Sequence, residues 1–564
     1  MLKFKDYQYV RPNLEEFVKA IELEKAKLTD EHDLETQYQA YLNISNIFDE
    51  LASMITISSI RNSIDTKDQF YEAEKEFFNQ EMPKLRPLSQ GIAIQLLGLK
   101  NRPQLEEKLG SLMFKQTELS LKTFKPEIIP DLQKENKLST EYSKLIGSAQ
   151  IEFDGGIYNL SQMAPFTQNI DRDIRRRAAL AVSGFFKENE AEIDRIYDEL
   201  VKLRHNMAIQ LGYENYVQLG YDRMGRTDYD HLMVKNYRDQ IYEDLVPVVN
   251  QLRKRQADRL GIKEPKHYDF ALSFLSGNPT PIGGRDYLVQ EAKTMYEEMS
   301  PETGEFFNFM IDHELMDLET KQGKRGGGYS TFIPKYNSPF IFSNFNGTAG
   351  DVDVLTHEAG HAFQVYSSRN LPSDSRWPTM EAAEIHSMSM EFFAWPWVEK
   401  FFGKEADKYR FDHLAGALQF LPYGVAVDEF QHFVYENPNI TPDERKAAWR
   451  RIELKYLPYR DFGEDEFMAK GTYWFRQGHI FSSPFYYIDY TLAQVVAFQF
   501  WVLDQVDHQK AWDKYYKLCT LGGSKSFLEL LEAAKLEVPF ETGTVKKIIV
   551  PIKEYLDSVD DKKL

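Results

Sequence analysis

Five residues, His357-Glu358-Ala359-Gly360-His361, constrain this 564-residue chain more than any others. An HExxH pattern does chemistry only on a helix. Residues four apart there lie about 40° apart around the axis and one turn up, so both imidazoles face one point. Such a pair can hold one zinc ion through bonds of about 2.0–2.1 Å. The Glu beside the first His then faces the open side of the metal, where a water is activated as nucleophile. The flanking sequence supports a helix over 348–369. Val352, Leu355, Ala359, Ala362, Phe363 and Tyr366 recur at three- and four-residue intervals. Thr348 and Asp351 read as a capping pair upstream, and Pro372 lies beyond the expected end. The bland alternative is a buried helix with two incidental histidines.

A catalytic zinc usually takes a third protein ligand. The extended pattern HExxHxxGxxH would place it at 367, but Gln364 and Ser367 occupy the two diagnostic positions. The segment 380–391 offers Glu381, Glu384, His386 and Glu391 instead. On one helix Glu384, Met388 and Glu391 share a face while His386 points nearly opposite, so Glu384 and His386 cannot both serve. Asp353, one turn before His357, is a candidate to accept the second ring N–H of a ligand histidine, or simply an acid at a helix N-terminus. Glu391 is a second candidate to brace the site.

With these residues in place the chain resembles the thimet oligopeptidase/oligoendopeptidase F family of zinc metallopeptidases. The likeness rests on His357–His361 followed 23 residues later by Glu384-Ile385-His386-Ser387-Met388. It extends to Gly326-Gly327-Gly328-Tyr329, Pro339-Phe340-Ile341-Phe342, Gly478-His479 and Phe485-Tyr486-Tyr487-Ile488-Asp489-Tyr490. Tyr9-Val10-Arg11-Pro12 and Arg61-Asn62-Ser63-Ile64-Asp65-Thr66 resemble the short bacterial members, Pz-peptidases included. The resemblance implies Zn²⁺, one per chain, on His357, His361 and Glu384, with Glu358 as general base. It implies an oxyanion donor in His479 and one of the tyrosines after it. The family spacing fits those tyrosines only with a shift, so Tyr487 or Tyr490 is preferred and Tyr486 comes third. Tyr486 also joins Gly327, Gly328 and Tyr329 as expected peptide-binding residues. The implied fold is mostly α, two-lobed, enclosing a deep channel that admits oligopeptides and excludes folded proteins.

The rest of the chain agrees with a large helical enzyme. Helical periodicity covers 15–30, 33–57, 67–78, 171–211, 229–260 and 285–299. β character concentrates in 151–158 and 326–346, the latter leading straight into the HExxH helix, where an extended peptide could add to a strand edge. We expect a small sheet beside that helix, an N-terminal helical region over 1–115, a connecting or lid region over 116–195 and a catalytic region over 196–564. A net charge of −19 argues against nucleic acid as partner. The longest apolar run, near 492–503, is broken by Gln494 and Gln499 and is too short for a bilayer. The N-terminus shows no signal-peptide pattern, and the single cysteine, Cys519, allows no internal disulfide. These point to a cytoplasmic protein, a monomer or weak homodimer, whose partners are oligopeptide substrates.

Two other readings compete. A zinc exopeptidase would need a cation anchoring a free peptide terminus, and Arg476 near His479 is the candidate anchor. A non-catalytic peptide-binding scaffold would carry a structural metal, but such sites are usually closed by four ligands, often cysteines.

Overall fold

The computed structural model describes residues 2–564. Helices dominate, and a three-stranded sheet sits against the HExxH helix. The N-terminal helices α1 (Leu14–Lys25) and α2 (Leu34–Ile64) begin a compact layer with its own core, which gathers Phe17, Ile21, Ile44, Leu88, Leu105 and Phe114. A much larger core runs from Phe4 to Leu556 and holds the helices around the metal-binding motif. The C-terminal half of α2 joins this second core through Met54, Ile57 and Ile60, so α2 ties the two layers together. Among the described residues no helix is long and apolar enough to cross a membrane.

A two-stranded ribbon, β1 (Ile151–Phe153) and β2 (Gly156–Tyr158), turns at Asp154-Gly155, both with positive φ. The main sheet has the order β3 (Met316–Glu319), β5 (Ser338–Phe345), β4 (Tyr329–Ile333). β5 is central: parallel to β3, with Met316 opposite Ile341, and antiparallel to β4, with Tyr329 opposite Phe342. Its near-complete burial explains the apolar run Pro339-Phe340-Ile341-Phe342 within it. β4 is left with one unpaired edge. Sequence reasoning found β4 and β5 but not β3, whose four residues carry too little pattern to be read locally.

Four further helices build the centre: α3 (Gly350–Ser367), α4 (Met380–Phe393), α5 (Ala406–Glu436) and α6 (Tyr487–Asp504). α3 and α4 touch at Gly360. A Cβ there would lie 2.6 Å from the His386 carbonyl oxygen and 2.6 Å from Ser387 Cα. Only glycine permits this approach, which brings the second segment within reach of the two histidines.

Some expected elements change on folding. The span 171–211 is two helices, Arg172–Glu188 and Glu190–Leu211, broken at Asn189, whose side-chain amide donates to the Phe185 carbonyl (2.8 Å). The span 229–260 is interrupted by the π-turn Ile241–Leu245 just before Pro247, which lacks the amide a regular turn needs. The Thr348/Asp351 pair does not form the expected cap. Asp351 accepts from the amides of Asn346 (2.9 Å) and Gly347 (2.8 Å), while Thr348 donates to the Asn346 side chain (2.8 Å). The carboxylate reaches back past Thr348 to the turn before the helix.

Candidate metal centre and active site

α3 presents His357 and His361 on one face, and the Gly360 crossing presses α4 against it. Glu384 Oε2 lies 3.2 Å from Nε2 of His357 and 3.2 Å from Nε2 of His361. The three ligand atoms lie within 4.8 Å of one another. Two bonds of about 2.0–2.2 Å meeting near the tetrahedral angle separate their ligand atoms by about 3.3–3.6 Å, so the trio fits zinc almost as it stands. Electrostatics agree with the geometry. Burial alone would raise the Glu384 carboxyl, but the imidazoles, His361 first, hold it well below the usual carboxylate range. Burial likewise opposes charge on His357, yet Glu384 and Glu391 raise it well above its ordinary value. A pocket that favours a proton on His357 so strongly favours a cation in its place.

Beyond the ligands, His357 Nδ1 meets Glu391 Oε1 at 2.7 Å, and Glu391 Oε2 meets His413 Nε2 at 2.8 Å. Trp395 Nε1 donates to His413 Nδ1 (3.0 Å), which fixes His413 as the Nε2–H tautomer, donating to Glu391. Sequence reasoning named Glu391 but placed His413 only on a helix that could be near the channel, without a role, since nothing local marks a histidine 22 residues further on, on α5. Asp353 does not contact a ligand histidine. It accepts from Tyr409 (2.6 Å), and burial pushes its pKa up to about 6. Glu391 already occupies the ring nitrogen Asp353 was expected to take. His386 turns away from the metal site, bonding the Ala382 carbonyl through Nδ1 (2.8 Å), and burial pushes its pKa down to about 4.

A cavity of about 510 Å³ opens on this centre. His357, Glu358, His361 and Glu384 form one wall, and Gly326 and Gly328 of the preceding loop with Tyr329, Ser330 and Thr331 of the β4 edge form a second. His479, Tyr486 and Tyr490 form a third, and Ile55, Thr56, Ser59 and Ile60 of α2 close it. The α2 wall was not legible in the sequence. Glu358 is 6% exposed, its Oε2 has no hydrogen-bond partner, and burial raises its carboxyl. A Cβ on Gly328 would sit 3.2 Å from Glu358 Oε1, so glycine keeps the space between the carboxylate and the strand edge open. Gly327 is not in the wall; its positive φ turns the chain and its carbonyl accepts from Asn344 (2.8 Å). Tyr329 borders the cavity, but its ring stacks on Phe342 and its hydroxyl is buried.

The three tyrosines differ in placement. Tyr490 Oη lies 3.1 Å from His479 Nε2. Tyr486 donates to Glu384 Oε1. Tyr487 faces a second cavity, beyond His479 and Tyr490, which Met388, Phe420 and Ala417 also line. Helix α6 begins at Tyr487, and its first turn places Tyr486 and Tyr490 on the metal cavity, which Tyr487 does not line. Gln477 Nε2 donates to His479 Nδ1 (2.8 Å), and burial pushes His479 down to about 4, so the ring is neutral with its Nε2–H turned toward the tyrosine. The preceding turn is held in an uncommon conformation, Phe485 having φ +67°. Arg226, fully buried, pairs with Asp489 (2.7 Å) and donates to the Phe485 carbonyl (2.6 Å). Gln431 accepts from the Phe485 amide (2.8 Å). Arg476 is exposed and lies over Tyr473, outside the cavity wall.

Comparison with known proteins agrees with this architecture. Residues 4–124 match the peptidase M3 N-terminal domain and residues 301–548 match peptidase family M3. The chain is 22% identical over 414 residues to an oligoendopeptidase F homologue of Borreliella burgdorferi, covering 70% of this chain and 66% of that protein. A solved structure carrying the name oligoendopeptidase F is 50% identical, superposes with a TM-score of 0.99 and is matched over 100% of both chains. Pz peptidase A, solved with an inhibitor, is also 50% identical, with a TM-score of 0.98 over 99% of this chain and 100% of that one. A Bacillus anthracis protein with the oligoendopeptidase F name is 50% identical as well, with a TM-score of 0.94 over 100% of both chains. From the M3 matches at both ends and half-identity along the whole length, the chain belongs to peptidase family M3, in its oligoendopeptidase F and Pz-peptidase branch.

Proposed function

We propose that this protein is a zinc-dependent endopeptidase that hydrolyses internal bonds of short oligopeptides. The observation that carries the reading is one cavity bounded by a His/His/Glu trio of zinc spacing, an unpartnered carboxylate and a free strand edge. His357, His361 and Glu384 would hold the ion, which when bound lowers the pKa of a water and polarises the scissile carbonyl. The peptide lies along the open edge of β4, its backbone paired with that strand. Glu358 takes the proton of the attacking water and passes it to the leaving nitrogen; burial, which raises its carboxyl, favours its holding that proton between the two steps. Tyr490 and the neutral His479 face the carbonyl oxygen and donate to it as charge develops. Tyr486 orients Glu384 and borders the peptide site. On this reading Ile55, Thr56, Ser59 and Ile60 of α2, which complete the cavity lining, limit substrates to chains thin enough to thread past them.

Glu391 and His413 position His357 and raise its basicity as a ligand. Glu391→Gln or His413→Ala should weaken metal affinity by about 10–100-fold. Competition against a chromogenic chelator measures this, and unchanged affinity in both variants would make the two residues merely structural. The overall reading is tested with peptides acetylated at the N-terminus and amidated at the C-terminus. Internal cuts, seen by mass spectrometry, are expected. Trimming of free-ended peptides with no cut in blocked ones would establish an exopeptidase instead.

A further inference from the structure

Four side chains form a line of hydrogen bonds that runs from behind the metal cavity to its wall. Tyr423 of α5 donates to Gln477 Oε1 (3.0 Å), and Gln477 Nε2 donates to His479 Nδ1 (2.8 Å). His479 Nε2 lies 3.1 Å from Tyr490 Oη on α6. Of the four, His479 and Tyr490 line the metal cavity, and Gln477 and Tyr423 stand behind them. Gln477 is 8% exposed, and the half-buried Tyr423 ring makes T-shaped contacts with Tyr473 and Tyr487. Both ends of the line adjoin a close helix crossing. A Cβ on Gly424, the residue after Tyr423, would sit 2.2 Å from Cγ2 of Thr491, the residue after Tyr490. Only glycine lets α5 and α6 approach this far, so the backbones carrying the two tyrosines are set against each other and Gln477 and His479 span the gap.

A neutral imidazole has one donor nitrogen and one acceptor, so the partner of one nitrogen decides the state of the other. The Gln477 amide makes Nδ1 the acceptor, and Nε2 keeps the hydrogen. Tyr490 Oη then accepts from the ring, and its own hydrogen is left to donate. In the opposite tautomer Nε2 would accept the Tyr490 hydrogen, and neither group would have one for a carbonyl oxygen. A glutamine can present either end, and a carbonyl facing Nδ1 would impose that opposite tautomer. Tyr423 selects the end by giving its hydroxyl hydrogen to Gln477 Oε1. Burial raises the Tyr423 phenol while Arg460 and Arg476 oppose the rise, and positive charge beside a phenol makes it the stronger donor. His479 itself packs against the rings of Tyr486, Tyr487 and Tyr490. Burial holds it neutral, Glu384 favours a proton on it and Arg325 opposes one.

Resting on the endopeptidase reading, we propose that Gln477 and Tyr423 are positioning residues for the hydrolysis. They hold His479 as its Nε2–H tautomer and so keep both His479 and Tyr490 as donors to the oxyanion. The line sets this polarity before the peptide arrives, and no proton travels along it in turnover.

The test measures kcat and KM on a doubly blocked peptide from about pH 5.5 to about pH 9, each variant read as its ratio to the unmodified enzyme at the same pH. Gln477→Met removes the donor without shortening the side chain. Its kcat should fall about 10–100-fold, approaching the loss of one oxyanion donor, with KM and metal content unchanged. Gln477→Glu reverses the demand on Nδ1, because its carboxylate draws a hydrogen there and raises the His479 pKa. At low pH the imidazolium donates from both nitrogens, and the ratio should lie near one. As pH rises through the new pKa, Nε2 loses its hydrogen, and kcat should fall along a one-proton limb that the unmodified enzyme lacks. Tyr423→Phe frees Gln477 to turn and should cost a smaller part of kcat. In a His479→Ala background all three substitutions should add almost nothing, since both residues act through His479. Melting curves check the fold, and the isosteric Gln477→Glu decides alone if Gln477→Met does not fold. Full kcat in the Gln477 variants would overturn the proposal, as would a loss in Gln477→Glu that shows no pH limb. Losses undiminished in the His479→Ala background would make the two residues merely structural and overturn it too. No cleavage by the unmodified enzyme would sink the endopeptidase reading and this one with it.

Discussion

Glu358→Gln should bind metal as the unmodified protein does and cleave blocked peptides about 10²–10⁴-fold more slowly, the contribution of a positioned general base. The substitution is nearly isosteric, and Glu358 is not one of the three groups whose ligand atoms converge. Metal content and fold should therefore survive. What is lost is an acceptor: an amide cannot take the proton of the attacking water or return it to the leaving nitrogen. Glu358 Oε2 is buried with no partner inside the protein, so no structural hydrogen bond breaks when it changes. Metal analysis, thermal melting and kcat on the same sample separate these outcomes. Turnover within a few-fold of the unmodified enzyme would remove Glu358 as the base.

Glu384→Ala and His386→Ala should fail in different ways. Glu384 is 1% exposed, with one oxygen 3.2 Å from both imidazoles. Its removal leaves a two-histidine site and should weaken metal binding by more than the roughly 100-fold upper range for an outer partner. His386 is fully buried on the other side of α4, where its ring faces Tyr515 and its carbonyl accepts from the Tyr515 hydroxyl (2.8 Å). His386→Ala should leave a cavity and lower the melting temperature while the metal stays. Metal per chain and melting curves on both variants decide the matter. Metal lost from His386→Ala and kept in Glu384→Ala would exchange their roles.

The parts of the site that were legible in the sequence are those set by local periodicity. A four-residue step fixes His357 and His361 on one face wherever α3 lies, and the same geometry separates Glu384 from His386. The edge strand was legible because an alternating, β-branched and aromatic run precedes the helix. What sequence could not supply is what each face meets. His413 reaches Glu391 only because α5 crosses α4, and the α2 wall exists only because an N-terminal helix folds back over the sheet. Asp353 shows the same limit: its position one turn before His357 was right, but Glu391, arriving from another helix, took the nitrogen. Which cavity each tyrosine lines depends on one residue of register at the start of α6, which no local pattern announces. Gly360 left a signal that was present but unread, since a glycine in a buried helix marks a close crossing.

The most direct test of the account is a metal titration of the stripped enzyme. The protein would be treated with chelator, desalted, and returned zinc in small steps while cleavage of a doubly blocked peptide is followed. The account predicts no cleavage at the start, a linear return, and a sharp break at one zinc per chain. Full activity in the stripped protein, or zinc binding at one per chain with no return of internal cleavage, would contradict it.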